Sequence, residues 1–134
     1  PTPPAMLLSA RRSLLLLPDK APPEAARNQA LLRAAAERLG IPAVSENSPN
    51  WRVGLAMGRN QLVATTVLDE ADIRRLPSGT QAFLVIDCLA ESRRPPERDW
   101  PQLAAIPVTT EMVVFEWLER GATAAFRDLI KLIK

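Results

Sequence analysis

The stretch SLLLLPDKAPPEAARNQALLRAAAERLGIPAVSE, residues 13–46, contains two short apolar runs separated by a segment with helical periodicity. The first run, Ser13–Leu17, has no polar alternation and stops at Pro18, which is typical of a strand covered on both faces. The middle segment opens with prolines, places apolar residues on one stripe and stops at Gly40, which predicts a helix. Because strands joined through a helix run parallel, this stretch predicts a right-handed βαβ unit.

The rest of the chain predicts further strands and helices of the same kind. Residues 81–88 (QAFLVIDC) predict a buried strand, residues 104–110 (AAIPVTT) a last strand, and Glu111–Arg120 a helix that Gly121 ends. Residues 69–76 predict a short helix with acids at its start and arginines at its end, which matches the helix dipole. The predicted fold is therefore α/β with three layers: a doubly wound, mainly parallel sheet with helices on both faces.

The region between residues 46 and 78 fits this scheme less well. WRVGLAM at residues 51–57 and QLVATTVL at residues 61–68 both resemble strands, and the segment between them contains glycine and asparagine. A plain βαβ repeat would place a helix there instead. We expect a β-hairpin, because strand-like runs around such a turn favour one.

Length and composition predict one globular domain, since 47% of the 134 residues are hydrophobic and 24% are charged. We assign residues 11–134 to this domain and the proline-rich residues 1–10 to a flexible, extended arm. The formal net charge of +2 does not indicate nucleic-acid binding. The longest apolar run, the one that ends at Pro18, is far too short to span a bilayer, so no membrane association is expected.

The chain has a single cysteine, Cys88, and no histidine. This composition excludes an internal disulfide framework and a zinc site built from cysteines and histidines. We therefore expect a reducing, cytoplasmic location, with no cofactor and no metal.

Two segments near the carboxyl end carry a resemblance to a known family. VIDCLAESRRPPERD at residues 85–99 and VTTEMVVFEWLERGATAAFRDLIKLIK at residues 108–134 resemble the C-terminal part of isochorismatase-like cysteine hydrolases. Near the front, RRSLLLLPDK and ERLGIPAVSE are similar to the family's first strand, first helix and second strand. The likeness covers residues 11–46 and 79–134, and the chain is shorter than usual for the family. The resemblance implies a doubly wound fold that usually forms oligomers.

The same resemblance implies a site built from an aspartate, a lysine and a nucleophilic cysteine. The family aspartate matches Asp19, which would be a vestige of the site. The only lysines are Lys20, Lys131 and Lys134, so no lysine occupies the family's catalytic position. The family cysteine falls near Val67, in sequence that does not match. The resemblance therefore implies a hydrolase framework that lacks its reactive groups.

Cys88 and Asp19 each allow a second interpretation. Cys88 follows Asp87 at the carboxyl end of a predicted strand, where open α/β sheets bind ligands, so it could be a relocated nucleophile. It could equally be a small buried thiol, because no histidine base is available to form the thiolate. Asp19 could be an acid or base, or a solvated residue of a turn. Both alternatives remain open from the sequence.

The C-terminal helices carry more large apolar side chains than one stripe can hold. A helix that is apolar all round is buried on more than one side. The second side is either the chain's own core or another subunit, whose interface would favour tryptophan and phenylalanine. The predicted interface residues share large apolar side chains on these helices: Met112, Phe115, Trp117, Leu118, Phe126 and Ile130.

Three functions follow from these observations. The first is a catalytically inactive, isochorismatase-like pseudoenzyme that serves as a homo-oligomeric subunit or binds another protein. The alternative is a small-molecule hydrolase of the cysteine type with a rebuilt site around Asp19 and Cys88. The third is a non-catalytic small-molecule sensor that uses the cleft of the fold.

Overall fold

The computed structural model describes residues 8–48, 51–56 and 58–119, and a sheet of five parallel strands lies at its centre. The strand order is β2-β1-β3-β4-β5. All neighbouring strands pair in parallel, as the βαβ pattern predicts. The strands are β1 (Ser13–Leu17), β2 (Ala43–Ser45), β3 (Gln61–Ala64), β4 (Gln81–Val85) and β5 (Ile106–Val108).

Helices and short 3₁₀ segments connect these strands. The helix predicted before Gly40 is confirmed, and Gly40 ends it in the left-handed conformation with φ of 71°. The short helix predicted within residues 69–76 is also confirmed, with Asp69 accepting a hydrogen bond from the backbone N–H of Asp72 at 2.7 Å. No helix of the described ranges is both long and apolar enough to cross a membrane. The helices are α1 (Ala26–Leu39), α2 (Val53–Ala56), α3 (Glu70–Arg74) and α4 (Thr110–Glu119).

The two faces of the sheet bury separate hydrophobic clusters. On β1, Leu15 and Leu17 pack on one side with α1 and α4, which we call the α1–α4 face. Leu14 and Leu16 pack on the other side with side chains of α2 and α3, which we call the α2–α3 face. This alternation follows from the two-residue period of a strand. The covering of both faces and the strand order are compatible with the predicted doubly wound α/β fold.

The β-hairpin predicted between residues 46 and 78 is wrong. Val53–Ala56 is helical, and Gln61–Ala64 pairs in parallel with β1 and β4. The chain therefore keeps the simple alternation of strand and helix through this region, with a very short helix between β2 and β3.

Packing explains why α2 forms where the sequence resembles a strand. Short apolar runs do not by themselves distinguish a strand from a turn of helix. Trp51 and Leu55 are both buried in the cluster of the α2–α3 face. Gly54 permits this close packing, because a Cβ atom at that position would lie 3.2 Å from Leu14 Cδ1.

Residues 8–10, which the sequence assigned to the flexible arm, belong to the packed domain. Leu8 is fully buried in the cluster of the α1–α4 face, and the backbone N–H of Ser9 donates to Gln61 Oε1 at 2.8 Å. The domain thus begins before residue 11. The remainder of the predicted arm, residues 1–7, and the predicted last helix, within residues 120–134, lie outside the described residues.

A hydrogen-bond network closes the amino end of β1. Trp117 Nε1 of α4 donates to Ser13 Oγ at 2.9 Å, and this hydroxyl donates to the carbonyl oxygen of Ser9 at 2.8 Å. Arg59, just before β3, donates through Nη1 to the carbonyl oxygens of Ala10 at 2.9 Å and Ser13 at 2.7 Å. The network joins α4, β1 and the turn before β3.

Candidate functional site

The carboxyl ends of β1 and β3 mark the point where the strand order reverses direction. Open α/β sheets bind ligands in the crevice at such a point, because the loops on either side diverge there. A cleft of about 270 Å³ lies at this position and is formed by the loops that follow β1, β2, β3 and β4. We call it the switch cleft; its lining includes Pro18, Glu46, Thr66, Val67, Leu89 and Arg93.

Glu46 holds three of these loops together. Its Oε2 accepts a hydrogen bond from the backbone N–H of Asp19 at 3.2 Å, and its Oε1 accepts one from Thr66 Oγ1 at 3.4 Å. Its own backbone N–H donates to the carbonyl oxygen of Leu17 at 2.8 Å. The carboxylate therefore lies between the ends of β1 and β3, at the reversal of strand order.

A second depression of about 220 Å³ adjoins the switch cleft and shares Glu46 and Thr66 with it. On its far side, Arg52 Nη2 pairs with Asp72 Oδ1 at 3.1 Å, and the guanidinium lies over the Trp51 ring, 4.4 Å from its centroid. The buried Nε of Arg52 has no hydrogen-bond partner among the described residues. The ion pair with Asp72 and the stacking on Trp51 therefore hold the Arg52 side chain in place at one side of the depression.

Cys88 lies away from the switch cleft, in the core of the α1–α4 face. Its Sγ is fully buried and lies 3.2 Å from Thr110 Oγ1. Burial raises the pKa of the Cys88 thiol to about 12, although the hydrogen bond with Thr110 acts in the opposite direction. At neutral pH the side chain is therefore a thiol, which is a poor nucleophile.

Asp87 serves as a cap for α4. Its Oδ1 accepts hydrogen bonds from the backbone N–H of Thr110 at 2.9 Å and from Thr110 Oγ1 at 2.8 Å. A carboxylate in this position satisfies a free N–H of the first helical turn and complements the helix dipole. The sequence showed Asp87 only as the neighbour of Cys88, and the contact with Thr110 across 23 residues was not predicted.

A larger groove of about 480 Å³ is lined by residues of α1, of the start of α4 and of the segment after β4, among them Asn28, Leu31, Asp87 and Thr110. Within it, Asp87 Oδ1 binds Thr110 and the amide of Asn28 donates to the carbonyl oxygen of Asp87 at 2.9 Å, while the charged side chains of Arg27 and Glu111 are exposed. We consider the smaller switch cleft the better candidate site, because it lies where the strand order reverses.

The structure does not bring Asp19 and Cys88 into one site. The Asp19 side chain is exposed, and its backbone N–H rather than its carboxylate contacts Glu46. Cys88 is enclosed on the α1–α4 face. Val67, the position near which the family cysteine falls, does line the switch cleft, but its side chain is aliphatic.

Sequence reasoning missed Glu46 and Thr66 as residues of the cleft and did not connect them with Arg93. Glu46 follows β2, Thr66 follows β3, and Arg93 lies in the 3₁₀ segment Glu91–Arg93 after β4. Carboxyl ends of parallel strands meet at one edge, so the first polar residues after each strand were a usable signal. The incorrect prediction of a hairpin obscured this signal, because a hairpin would place residues 61–68 antiparallel to residues 51–57.

The predicted interface residues divide into two groups. Met112 and Phe115 are exposed on α4, with 37% and 38% of their surface accessible. Trp117 and Leu118 are buried in the chain's own core, so they are not available to a partner in the folded domain. Phe126 and Ile130 lie outside the described residues.

The described residues contain no group of three or more histidine, cysteine, aspartate or glutamate side chains placed to hold a metal ion. Comparisons with family models, curated proteins and solved structures found no match to this chain. The resemblance to isochorismatase-like hydrolases therefore stays a prediction from the sequence.

Proposed function

We propose that this chain is a catalytically inactive α/β subunit that acts by binding another polypeptide, in the first instance a second copy of itself, through α4. The proposal includes descent from an isochorismatase-like framework, which rests on the sequence motifs alone. The observation that carries it is the pair Met112 and Phe115, which are exposed one helical turn apart on a helix whose other side is anchored in the core.

The rigidity of α4 supports this role. Val113 and Trp117 are fully buried under the helix, and Trp117 Nε1 is hydrogen-bonded to Ser13 Oγ. Exposed apolar groups on such a fixed helix lose little conformational freedom when they become buried against a partner. Phenylalanine and methionine are also enriched in protein interfaces.

The edge strand of the sheet exposes a further large apolar side chain. β5 is an edge strand, and Ile106 is 42% exposed on the same side of the strand as Val108, which packs on the α1–α4 face. Pro107, at the centre of β5, lacks an N–H and so opposes the addition of another strand. Side chains rather than backbone pairing would therefore make the contact.

The state of Cys88 supports the inactive part of the proposal. A buried thiol with a pKa of about 12 supplies almost no thiolate at neutral pH. The alternative, a hydrolase around Asp19 and Cys88, requires a thiol that reacts rapidly with a thiol reagent in the folded protein. We expect Cys88 to react only when the protein unfolds.

Analytical ultracentrifugation combined with native mass spectrometry tests the assembly. We expect the wild-type chain to sediment as a dimer or larger, and the double variant Met112→Ser, Phe115→Ser to shift towards monomer with its circular dichroism unchanged. Val53→Ser is the matched control, because Val53 is an exposed apolar residue on α2. A wild-type chain that remains a compact monomer over a wide concentration range contradicts the proposal.

A further inference from the structure

We infer that the switch cleft binds a small zwitterion, with its ammonium group at Glu46 and its carboxylate group at Arg93. This site does not depend on the assembly proposed above, because it lies at the carboxyl edge of the sheet and not on the exposed side of α4. The argument rests on the opposite charges of two cleft residues and on the hydrogen bonds that they leave open.

Glu46 forms the acceptor end of the cleft. An ionised carboxylate has about four lone-pair positions, and within the described residues Glu46 uses one for the N–H of Asp19 and one for the hydroxyl of Thr66. Glu46 belongs to the loop after β2. These two contacts hold its carboxylate at the carboxyl ends of β1 and β3. Its remaining positions can accept hydrogen bonds from an ammonium group.

Arg93 forms the donor end of the cleft. Its guanidinium has five N–H donors in a fork that matches a carboxylate. Within the described residues the Arg93 side chain makes no hydrogen bond and no ion pair, whereas Arg94 beside it donates to the carbonyl oxygen of Leu89 at 3.1 Å. Arg93 also borders the adjoining apolar pocket near Leu103, so its side chain lies along the cleft wall.

Apolar groups also line the cleft. Pro18, Pro22, Val67 and Leu89 supply aliphatic surface beside the two charged residues. Thr65 also lines the cleft, and its buried side chain donates through Oγ1 to the carbonyl oxygen of Leu16 at 2.8 Å. A volume of about 270 Å³ lies at the lower limit of small-molecule sites, which restricts the ligand to a short molecule.

A series of amino acids with increasing separation between the charged groups tests this inference. We would titrate the isotope-labelled full chain with glycine, β-alanine, γ-aminobutyrate and ε-aminocaproate, and follow the backbone amide signals of Thr65, Thr66, Val67 and Ala90. n-Butylamine and butyrate serve as probes with a single charge. We expect one zwitterion to bind at least about tenfold more tightly than either single-charge probe, because each loses one charge-assisted contact.

Charge-neutral variants test the two ends separately. Glu46→Gln and Arg93→Gln should each weaken binding of the preferred zwitterion about tenfold or more. Glu97→Gln and Arg98→Gln are matched controls, because both residues are exposed and neither lines the cleft, and they should leave affinity unchanged. Melting temperatures without ligand should stay equal in Arg93→Gln and both controls, and Glu46→Gln should lower the melting temperature only slightly, because it loses one of the two acceptors that bind Asp19 and Thr66.

Three results would overturn the assignment. The first is that none of the probes shifts the cleft amides at concentrations of tens of millimolar. The second is that n-butylamine or butyrate binds as tightly as the zwitterions. The third is that binding survives both Glu46→Gln and Arg93→Gln. None of these results bears on whether Met112 and Phe115 mediate assembly.

Discussion

The two ends of the parallel sheet use polar side chains in opposite ways. At the amino end, Ser13 and Gln61 are buried, and Ser13 is hydrogen-bonded to Trp117 of α4. At the carboxyl end, Glu46 and Arg93 are exposed around an open cleft. The amino-end groups therefore contribute stability, whereas Glu46 and Arg93 at the carboxyl end stay open to solvent.

The difference has a physical cause. A buried polar group must be fully hydrogen-bonded, because an unpaired one costs about 1–3 kcal/mol. The amino-end groups meet this requirement inside the protein, so they hold one arrangement of α4, β1 and the turn before β3. Groups at the carboxyl end remain in contact with water and can exchange it for a ligand without such a penalty.

The largest expected effect is at the amino end. Trp117→Ala should lower the free energy of unfolding by about 3–5 kcal/mol, because it leaves a large cavity in the core and removes the hydrogen bond to Ser13. Urea denaturation measures this change. Phe115→Ala, one exposed aromatic on the same helix, is the control and should cost far less; equal losses would break the distinction between the buried and exposed sides of α4.

Paired substitutions of hydroxyl groups compare the two ends directly. Ser13→Ala should destabilise the protein by about 1–3 kcal/mol, since it leaves Trp117 Nε1 buried without an acceptor. Thr66→Ala, in the loop after β3, should change stability by less than about 0.5 kcal/mol, because Thr66 is only partly buried and its bond to Glu46 is long. Similar costs at the two positions would contradict the comparison.

Cys88 sharpens the comparison, because it follows β4 at the carboxyl end and yet is buried. Its pKa is raised from an ordinary 9.0 to about 12, so above pH 9 the unfolded chain releases a proton that the folded chain retains. The Cys88 thiol contributes its full stabilisation below pH 9. As the pH rises from 9 towards 12, the free energy of unfolding falls by up to about 1.4 kcal/mol per pH unit.

The measurement is urea denaturation of wild type and Cys88→Ala at neutral pH and at several alkaline values. The difference in stability between the two proteins should shrink as the pH rises, because only the wild type has the thiol. A difference that stays constant with pH would mean that Cys88 is accessible enough to ionise in the folded protein.

Much of the sheet could be predicted, because strong local patterns specify it. The uninterrupted apolar runs of β1 and β4, the stripe of α1 and its end at Gly40 all lie where the sequence indicates. The region of α2 and β3 could not be assigned correctly. Its short apolar runs fit two structures, and the burial of Trp51 against the α2–α3 face decides between them.

The candidate site was less predictable than the fold. Asp19 and Cys88 were the sequence candidates, and the structure leaves the first in solvent and the second in the core of the α1–α4 face. Glu46, Thr66 and Arg93 have no distinctive local pattern. They become a group only because β2, β3 and β4 run parallel and place the loops that follow them at one edge.

The sequence by itself determined the fold class and the parallel direction of the strands around α1. It also limited the reactive side chains to one thiol without any histidine. These properties depend on residue type and on periodicity over a few residues. Only the tertiary structure decided the strand order, the helical state of α2, the burial of Cys88 and the polar groups of the switch cleft. Each of these features depends on contacts between residues that are far apart in the chain. A local sequence pattern cannot indicate the energies of such contacts.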